Sequence, residues 1–324
     1  MSAEIKEMLP LNREKILTLV NELYRLPNQV KKIQIISPDK VLLHDNSGTF
    51  LFKRHITLEP DGIRELETIY RKSIASGLCP DFLPPRQGDI FGVSRGDVFS
   101  LQPLLKNDAI SVTQEPAKFG RALGRLHKAL AGVLTKPLRS HFDQLLPSLV
   151  GPAKRYGLAD IVSLIKEVEN KRATCQDVIH GDLHPGNVLR HDGKILFLDL
   201  DSASSSAYEV DIAFAAFRFF HADRKAQNTF LHGYGLPENY LDNLWKYLIF
   251  TIAQRIIFIL ASREHDDKRW EYDLVNQMRF LQEAKKRLNT SNDRPAGDED
   301  FLTRSGKRGT GLRGMQKKLP QPYK

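Results

Sequence analysis

Two short polar groups lie about twenty residues apart in the second half of the chain, and apolar residues flank both. The first is His180-Gly181-Asp182, with Asn187 five residues after the acid, and the second is Asp199-Leu200-Asp201. The apolar flanks predict short buried strands beside each group. An acid, an amide and a second acid at this spacing can orient a hydroxyl and hold Mg²⁺ through oxygen ligands. This is the set of groups that metal-assisted phosphoryl transfer needs.

The segment resembles the catalytic motif of the aminoglycoside phosphotransferase and choline kinase family, in which His-Gly-Asp replaces the His-Arg-Asp of protein kinases. The interval from Asp182 to Asn187 matches the Asp-x-x-x-x-Asn of the kinase catalytic loop. The run from Phe197 to Asp201 is similar to that of a bacterial stress-response branch and of spore-coat-associated relatives. The resemblance implies a two-lobed, protein-kinase-like α+β fold, with a small antiparallel-sheet N-lobe and a larger, mostly helical C-lobe.

The resemblance also implies roles for individual residues. Asp182 corresponds to the catalytic base, which takes the proton of the substrate hydroxyl. Asn187 and Asp199 correspond to the ligands of Mg²⁺. Two roles remain open for Asp201, that of an acid near the metal and that of an alternative metal ligand. His180 is expected to brace the loop.

Lys53 resembles the third-strand lysine that grips the α- and β-phosphates of ATP. It lies in an alternating strand, where Arg54 is the competing candidate if the register differs by one residue. The lysine needs a carboxylate to orient it, and the Arg-Glu-Leu-Glu sequence of the next helix resembles the family pattern there. Glu65 is the better match, and Glu67 cannot share a helix face with it because it lies two residues on.

The loop that covers the nucleotide departs from the kinase pattern. Protein kinases have Gly-x-Gly-x-x-Gly there, whereas this chain has Ser-Pro-Asp-Lys from Ser37 to Lys40, without glycine. Ser37 or Lys40 could supply side-chain contacts in place of backbone N–H groups. Adenine contacts are expected near Gln102 and Leu104, and the N–H donor would be that of Leu104 because Pro103 has none.

Apolar periodicity and turn residues predict two-lobed organisation. In the first third of the chain, a helix, three strands, a helix and two strands are predicted at 11–26, 30–37, 40–44, 48–55, 61–76, 89–94 and 98–105. Long helices follow at 115–132, 141–156, 158–175, 210–221, 240–262 and 270–288, and two short strands flank the turn at Asp192-Gly193. Asp211 precedes one of these helices, where the resemblance implies that it braces the catalytic loop.

These elements divide the chain into four parts. We expect an N-terminal helical extension at 1–27, the N-lobe at 28–105, a helical C-lobe with the catalytic and metal-binding loops at 106–289, and a disordered basic tail at 290–324.

Composition is that of a soluble globular protein, with 324 residues, 41% hydrophobic and 27% charged. Cys79 and Cys175 are too few for a disulfide framework and fit a reducing cytosol. The charged N-terminus predicts no secretory signal. The longest apolar stretch, 248–260, is broken by Gln254 and Arg255, so no transmembrane segment is expected. The sequence therefore predicts a cytoplasmic protein.

The formal net charge of +9 favours anionic partners. Most of the excess lies in the tail from Phe301 to Lys324, which has seven Lys or Arg and no acid. Such a tail could contact anionic surfaces, but no specific nucleic-acid recognition is expected.

Three hypotheses follow. The first is an ATP-dependent phosphotransferase that moves the γ-phosphate to a hydroxyl of a small molecule, with protein Ser/Thr kinase activity of the stress-response type as an alternative. The second is a catalytically weak pseudokinase or structural protein, which the glycine-free loop favours. The third is a basic protein that associates with RNA or membranes through its tail.

Overall fold

The computed structural model describes residues 12–26, 28–55, 62–88, 90–133, 177–220, 223–245, 247–248 and 252. The predicted helices at 141–156, 158–175 and 270–288 lie outside these residues, as do the basic tail and most of 240–262.

A five-stranded antiparallel sheet forms the N-terminal lobe, in the order β1-β2-β3-β5-β4. Its strands are β1 Lys32–Ser37, β2 Lys40–His44, β3 Thr49–His55, β4 Phe91–Ser94 and β5 Asp97–Pro103. Each predicted strand is confirmed to within two residues, because the hairpin turns and the alternation of side chains define the ends clearly.

Helix α1, Arg13–Leu23, covers one face of this sheet. It begins at the predicted cap Asn12, whose side chain accepts from the backbone N–H of Lys15 at 2.8 Å. The buried side of α1 packs with alternate residues of the strands, and Phe52 stacks on Phe99 with ring centroids 5.2 Å apart. Because β3 alternates, Lys53 points to the opposite face of the sheet.

Helix α2, Ile63–Ala75, follows β3 and belongs to the core of the helical lobe. It buries Leu66, Ile69, Tyr70 and Ser73, and its apolar residues join one cluster with those of the helices after residue 115. This helix therefore links the sheet to the helical lobe.

The second lobe contains helices α3 Pro116–Leu130, α4 Tyr208–Phe220 and α5 Arg224–Tyr234, and short strands β6 Val178–Ile179, β7 Val188–His191, β8 Lys194–Phe197 and β9 Ser204–Ser205. Its core centres on Phe119, which is fully buried. The Phe119 ring lies 4.7 Å from that of Phe219 and 5.4 Å from that of Phe230. A small sheet lobe and a helical lobe give the predicted two-lobed α+β fold.

The sequence prediction missed one helix of this lobe. No helix was predicted between 221 and 240, but helix α5 occupies 224–234. Of the helix predicted at 240–262, the described part begins with a 3₁₀-helix, Glu238–Leu244, and the described residues after it, Trp245, Tyr247, Leu248 and Ile252, are α-helical. The Gly233 in α5 lowers helix propensity, yet its missing side chain permits close packing, because a Cβ there would lie 2.2 Å from the carbonyl oxygen of Ala117 in α3.

In the part of the chain that the structure describes, no helix has the length and apolar character needed to cross a membrane.

Candidate active site

One buried carboxylate fixes the backbone of the catalytic loop, which follows β6. Asp211, in the first turn of α4, accepts hydrogen bonds from the backbone N–H of His180 at 2.7 Å and of Gly181 at 3.0 Å. Its Oδ2 also lies 3.0 Å from His127 Nε2. The bracing role predicted for Asp211 is confirmed, whereas His127 was not foreseen.

Gly181 is required by the shape of this loop. Its φ is +80°, and a Cβ there would lie 2.3 Å from the carbonyl oxygen of Ser202. The His180 side chain is buried, with Nε2 2.9 Å from the carbonyl oxygen of Leu198. These contacts hold the loop after β6 against the segment after β8, as predicted for the histidine.

Asp182 lies half-exposed at the end of this loop. Asn187 donates through Nδ2 to the backbone oxygen of Asp182 at 3.0 Å and to its Oδ2 at 3.3 Å. His184 Nε2 lies 3.6 Å from Asp182 Oδ2, and an Arg218 nitrogen lies 4.0 Å from Oδ1. The carboxylate is thus anchored by Asn187 on one side and faces basic groups on the other.

The groups around Asp182 also set the charge of His184. Burial lowers the pKa of His184, Asp182 opposes that shift, and the nearby Arg218 reinforces it. Nδ1 of His184 accepts from the backbone N–H of Gly186 at 3.0 Å. The Arg218 guanidinium stands over the Phe214 ring, 4.7 Å from its centroid. The lowered pKa favours the neutral imidazole of His184, which together with the Arg218 guanidinium flanks the Asp182 carboxylate.

Asp199 lies just beyond β8 with a left-handed backbone, φ 58°. Its Oδ1 is 2.6 Å from Lys53 Nζ, and its Oδ2 is 3.6 Å from Lys40 Nζ. Lys40 and Lys53 are directly opposite each other in the β2–β3 register, an arrangement that like charges disfavour. The carboxylate of Asp199 offsets that repulsion by contacting both.

Asp201 lies deeper and has three side-chain partners. Its Oδ2 is 2.7 Å from Lys53 Nζ and 2.5 Å from His55 Nδ1, while its Oδ1 accepts from the Tyr70 hydroxyl at 3.0 Å. Burial by itself would raise the pKa of Asp201, but His55 and then Lys53 outweigh it and hold that pKa well below its usual range.

Lys53 is likewise held in its charged form. Burial alone would lower the pKa of Lys53, but Asp201 and Asp199 raise it above its usual value. The competing residue Arg54 instead pairs with Asp97 at 2.8 Å. Of Lys53 and Arg54, Lys53 is therefore the one that reaches the acids of the second lobe.

The predicted pair between Lys53 and Glu65 is not formed. Lys53 contacts the two aspartates of the second lobe, and the ion pairs among the described residues do not include Glu65. Glu67 Oε1 accepts from the backbone N–H of Ile90 at 3.4 Å. The acids that follow β8 lie closer to the lysine than the half-buried Glu65 in the first turn of α2.

The structure also corrects the prediction that the backbone N–H of Leu104 is available to adenine. The N–H of Leu104 donates to the carbonyl oxygen of Thr49 at 2.8 Å, which continues the pairing of β3 with β5. It is therefore occupied in this structure. Gln102 pairs with Leu51 within the same ladder, and its nucleotide contact stays a prediction.

The glycine-free turn between β1 and β2 is short and internally bonded. The Ser37 hydroxyl donates to Asp39 Oδ1 at 2.6 Å, and the Arg54 N–H donates to the Asp39 carbonyl oxygen at 2.8 Å. Lys40, rather than Ser37, extends toward Asp199.

The β7–β8 hairpin, which separates Asn187 from Asp199, is fastened to the linker after β5. Asp108 accepts from the backbone N–H of Gly193 at 3.0 Å and from Arg190 at 2.5 Å. The hydrogen bond from the Gly193 N–H makes the largest contribution to lowering the pKa of Asp108. The hairpin is therefore tied to the segment that joins the two lobes.

Sequence reasoning missed His55 and Tyr70. His55 lies two residues after Lys53, so the alternation of β3 places both side chains on one face. That signal was present in the sequence. The contact of Tyr70 with Asp201 joins residues 131 positions apart, and no local pattern reports such a distance.

The fold has two lobes, and five polar side chains lie near their junction: Lys53, Asp182, Asn187, Asp199 and Asp201. This combination is typical of the class of kinase-like phosphotransferases. The family model described as "Phosphotransferase enzyme family" matches residues 32–244. The match covers well over half of the chain, so the chain belongs to this family of phosphotransferase enzymes. A search of curated protein sequences finds no match.

Solved structures support the fold. The chain is similar to an amicoumacin kinase in complex with AMP-PNP and Ca²⁺, at 14% identity and TM-score 0.66, over 87% of this chain and 96% of that one. It is also similar to a spectinomycin phosphotransferase in complex with ADP, at 14% identity and TM-score 0.59, over 85% and 95%. A third similar structure is a choline kinase from Streptococcus pneumoniae, at 17% identity and TM-score 0.58, over 86% of this chain and 97% of that one.

Proposed function

We propose that the protein uses Mg·ATP to phosphorylate a hydroxyl of a small molecule, with Asp182 as the base, Asn187 and Asp199 as the metal ligands, and Lys53 on the phosphates. The observation that carries the proposal is the meeting of Lys53 with Asp199 across the two lobes, at 2.6 Å. This contact supports the proposal that a phosphate-binding lysine and a metal-binding acid act at one place.

The donor atoms suit Mg²⁺, which prefers carboxylate and amide oxygens and keeps several positions for water and phosphate. Because Asn187 donates through Nδ2 to Asp182, its amide oxygen is the atom that a metal would use. Asp199 is more exposed than Asp201, and its ion pairs with described residues are those with Lys40 and Lys53. When bound, the ion neutralises charge that develops on the transferred phosphoryl group.

Asp182 suits the role of base because hydrogen bonds fix its position while its carboxylate stays accessible to a substrate. The two hydrogen bonds from Asn187 fix its orientation, while about half of its side chain is open to solvent. A hydroxyl placed beside Oδ1, which accepts no hydrogen bond from Asn187, would donate a hydrogen bond to it and lose its proton to the carboxylate as the P–O bond forms. Lys53 and Lys40 would hold the phosphates in line for that attack.

The proposal also names the class of acceptor, a small-molecule alcohol. The amicoumacin kinase, spectinomycin phosphotransferase and choline kinase structures are named for small molecules that carry hydroxyls. A small-molecule alcohol is therefore favoured over a protein Ser/Thr residue. The occupied N–H of Leu104 and the glycine-free turn support the competing hypothesis of a pseudokinase that binds nucleotide weakly.

An acceptor screen with ATP labelled on the γ-phosphate separates these hypotheses. Small-molecule alcohols and protein substrates are compared with wild type and with Asp182→Asn. Transfer by wild type should fall by about 10²- to 10⁴-fold in Asp182→Asn, the range typical of a general base. Nucleotide binding, followed by calorimetry, should be kept.

Asp192→Asn is the matched control, because Asp192 is a strongly exposed acid in the nearby β7–β8 turn and Asn tolerates its left-handed backbone. Its transfer rate should equal that of wild type. Equal background rates in wild type and Asp182→Asn, for every acceptor, would rule out the enzyme in favour of the pseudokinase.

A further inference from the structure

We propose that Asp201 positions Lys53 for the nucleotide phosphates, in the place that a carboxylate of helix α2 would otherwise take, and that Tyr70 ties helix α2 to this acid. The inference rests on the proposed function, because it concerns how the phosphate-binding lysine is held. In protein kinases, the corresponding lysine pairs with a glutamate of the helix that follows it.

The contacts of Asp201 are those of a fixed, fully engaged carboxylate. Oδ2 receives Lys53 Nζ at 2.7 Å and His55 Nδ1 at 2.5 Å, and Oδ1 receives the Tyr70 hydroxyl at 3.0 Å. Its side chain is 14% exposed, against 28% for Asp199. Both oxygens of Asp201 accept hydrogen bonds, whereas Oδ2 of Asp199 faces Lys40 at 3.6 Å, beyond hydrogen-bond distance, so Asp199 is the better placed of the two acids to receive a metal.

The donors to Asp201 are themselves held rigidly. Nε2 of His55 lies 2.8 Å from the Ser100 hydroxyl, and the His55 ring packs edge-on against Phe91 with centroids 4.9 Å apart. The His55 side chain is 1% exposed. In such a water-poor setting a satisfied polar network is stiff, and Asp201 can therefore direct the ammonium of Lys53.

Tyr70 connects this network to helix α2. Its buried hydroxyl accepts from the backbone N–H of Leu200 at 3.0 Å and donates to Asp201 Oδ1. Its ring packs edge-on against Phe82, at 4.9 Å. Helix α2 therefore reaches the segment after β8 through a neutral hydroxyl, and its half-buried Glu65 makes no ion pair with Lys53 in the described structure.

Calorimetric measurement of ATP binding, with Mg²⁺ and separately with a chelator, tests the inference. Asp201→Asn should weaken ATP binding by about ten- to a hundredfold under both conditions, which corresponds to about 1.4–2.8 kcal/mol, because it removes a charge-assisted hydrogen bond to Lys53. Tyr70→Phe, which keeps the packing, should weaken it by a smaller factor. The matched control Glu65→Gln should stay within about twofold of wild type, a change too small to matter on that scale.

A double-mutant cycle identifies Lys53 as the residue through which Asp201 acts. In a Lys53→Met background, Asp201→Asn should cause no further loss, because coupled residues give non-additive changes. Additive losses, or unchanged ATP binding by Asp201→Asn with chelator present, would overturn the inference. A loss seen only with Mg²⁺ would identify Asp201 as a metal ligand and overturn it as well.

The two proposals fail in different ways. Wild type that binds no ATP under either condition contradicts the proposed function itself. Wild type that binds ATP, with Asp201→Asn and Tyr70→Phe binding equally well, contradicts only the positioning of Lys53. Circular dichroism and thermal unfolding show whether each variant is folded, and Tyr70→Phe decides the question if Asp201→Asn does not fold.

Discussion

At the scale of single residues, the catalytic loop depends on a glycine between its histidine and its acid. Gly181 has a positive φ and sits against the backbone of Ser202, so a side chain would meet both strain and a clash. Gly193, in the β7–β8 turn, has a similar φ of +71° but nothing within 4 Å of its would-be Cβ. A substitution at Gly193 therefore tests backbone strain alone, whereas one at Gly181 tests strain together with a steric clash.

We expect Gly193→Ala to cost about 1–2 kcal/mol of unfolding free energy, the strain of a left-handed alanine. Gly181→Ala should cost clearly more and should also lower kcat, because the backbone next to Asp182 must shift. Urea unfolding and transfer assays measure the two effects. Equal losses of stability, with kcat unchanged in Gly181→Ala, would show that Ser202 gives way freely.

Single residues also show how far sequence reasoning reaches. The choice of Lys53 over Arg54 could be argued from strand alternation, because the period of two is local. The choice of Asp201 over Glu65 could not, since it depends on how the second lobe lies against the sheet. The occupied N–H of Leu104 has the same origin, because one more step of β-pairing with Thr49 is decided by tertiary structure.

At the scale of elements, helices α3 and α5 cross closely because glycine occupies the contact. A Cβ on Gly120 would lie 2.1 Å from the carbonyl oxygen of Phe230, whereas a Cβ on Gly124, one turn later, would lie 3.4 Å from that of Tyr234. The first distance requires the backbones to move apart, and the second is an ordinary contact.

Gly120→Ala should therefore destabilise the protein by about 1–3 kcal/mol or more, as overpacking does. Gly124→Ala should be neutral or stabilising by up to about 1 kcal/mol, since alanine is the better helix former. The midpoint of urea unfolding measures both. Similar shifts in the two variants would mean that the helices can separate without loss.

The same crossing explains why α5 was missed in the sequence. Its residues His232-Gly233-Tyr234-Gly235 are typical of a turn, yet only the last glycine ends the helix, with φ +103°. The other is a packing residue. The strands of the sheet were predictable because their turns and their apolar alternation agree, whereas in α5 local propensity and tertiary packing disagree.

At the scale of the whole molecule, nucleotide should act as a bridge between the lobes. Lys40 and Lys53 belong to the sheet, and Asp199 belongs to the second lobe. A ligand that binds only the folded state stabilises it by about 2.7 kcal/mol at a hundred times its Kd. For a chain of this size, each kcal/mol raises Tm by roughly 2–4 °C.

Saturating Mg·ATP should therefore raise the Tm of wild type by several degrees, and of Lys53→Met by much less. Differential scanning calorimetry with Mg²⁺ and sulfate in place of ATP provides the control for ionic effects. An equal rise of Tm in wild type and Lys53→Met would place the nucleotide away from this lysine.

The tight turn from Ser37 to Lys40 has a kinetic consequence. A mobile glycine-rich loop must open before product leaves, and such motions limit the turnover of many enzymes. Here the turn is closed by hydrogen bonds, so under the proposed function the barrier to ADP departure would lie in ionic contacts of Lys40 and Lys53 rather than in loop movement. Product release in this enzyme would then respond to ionic strength more than to solvent viscosity.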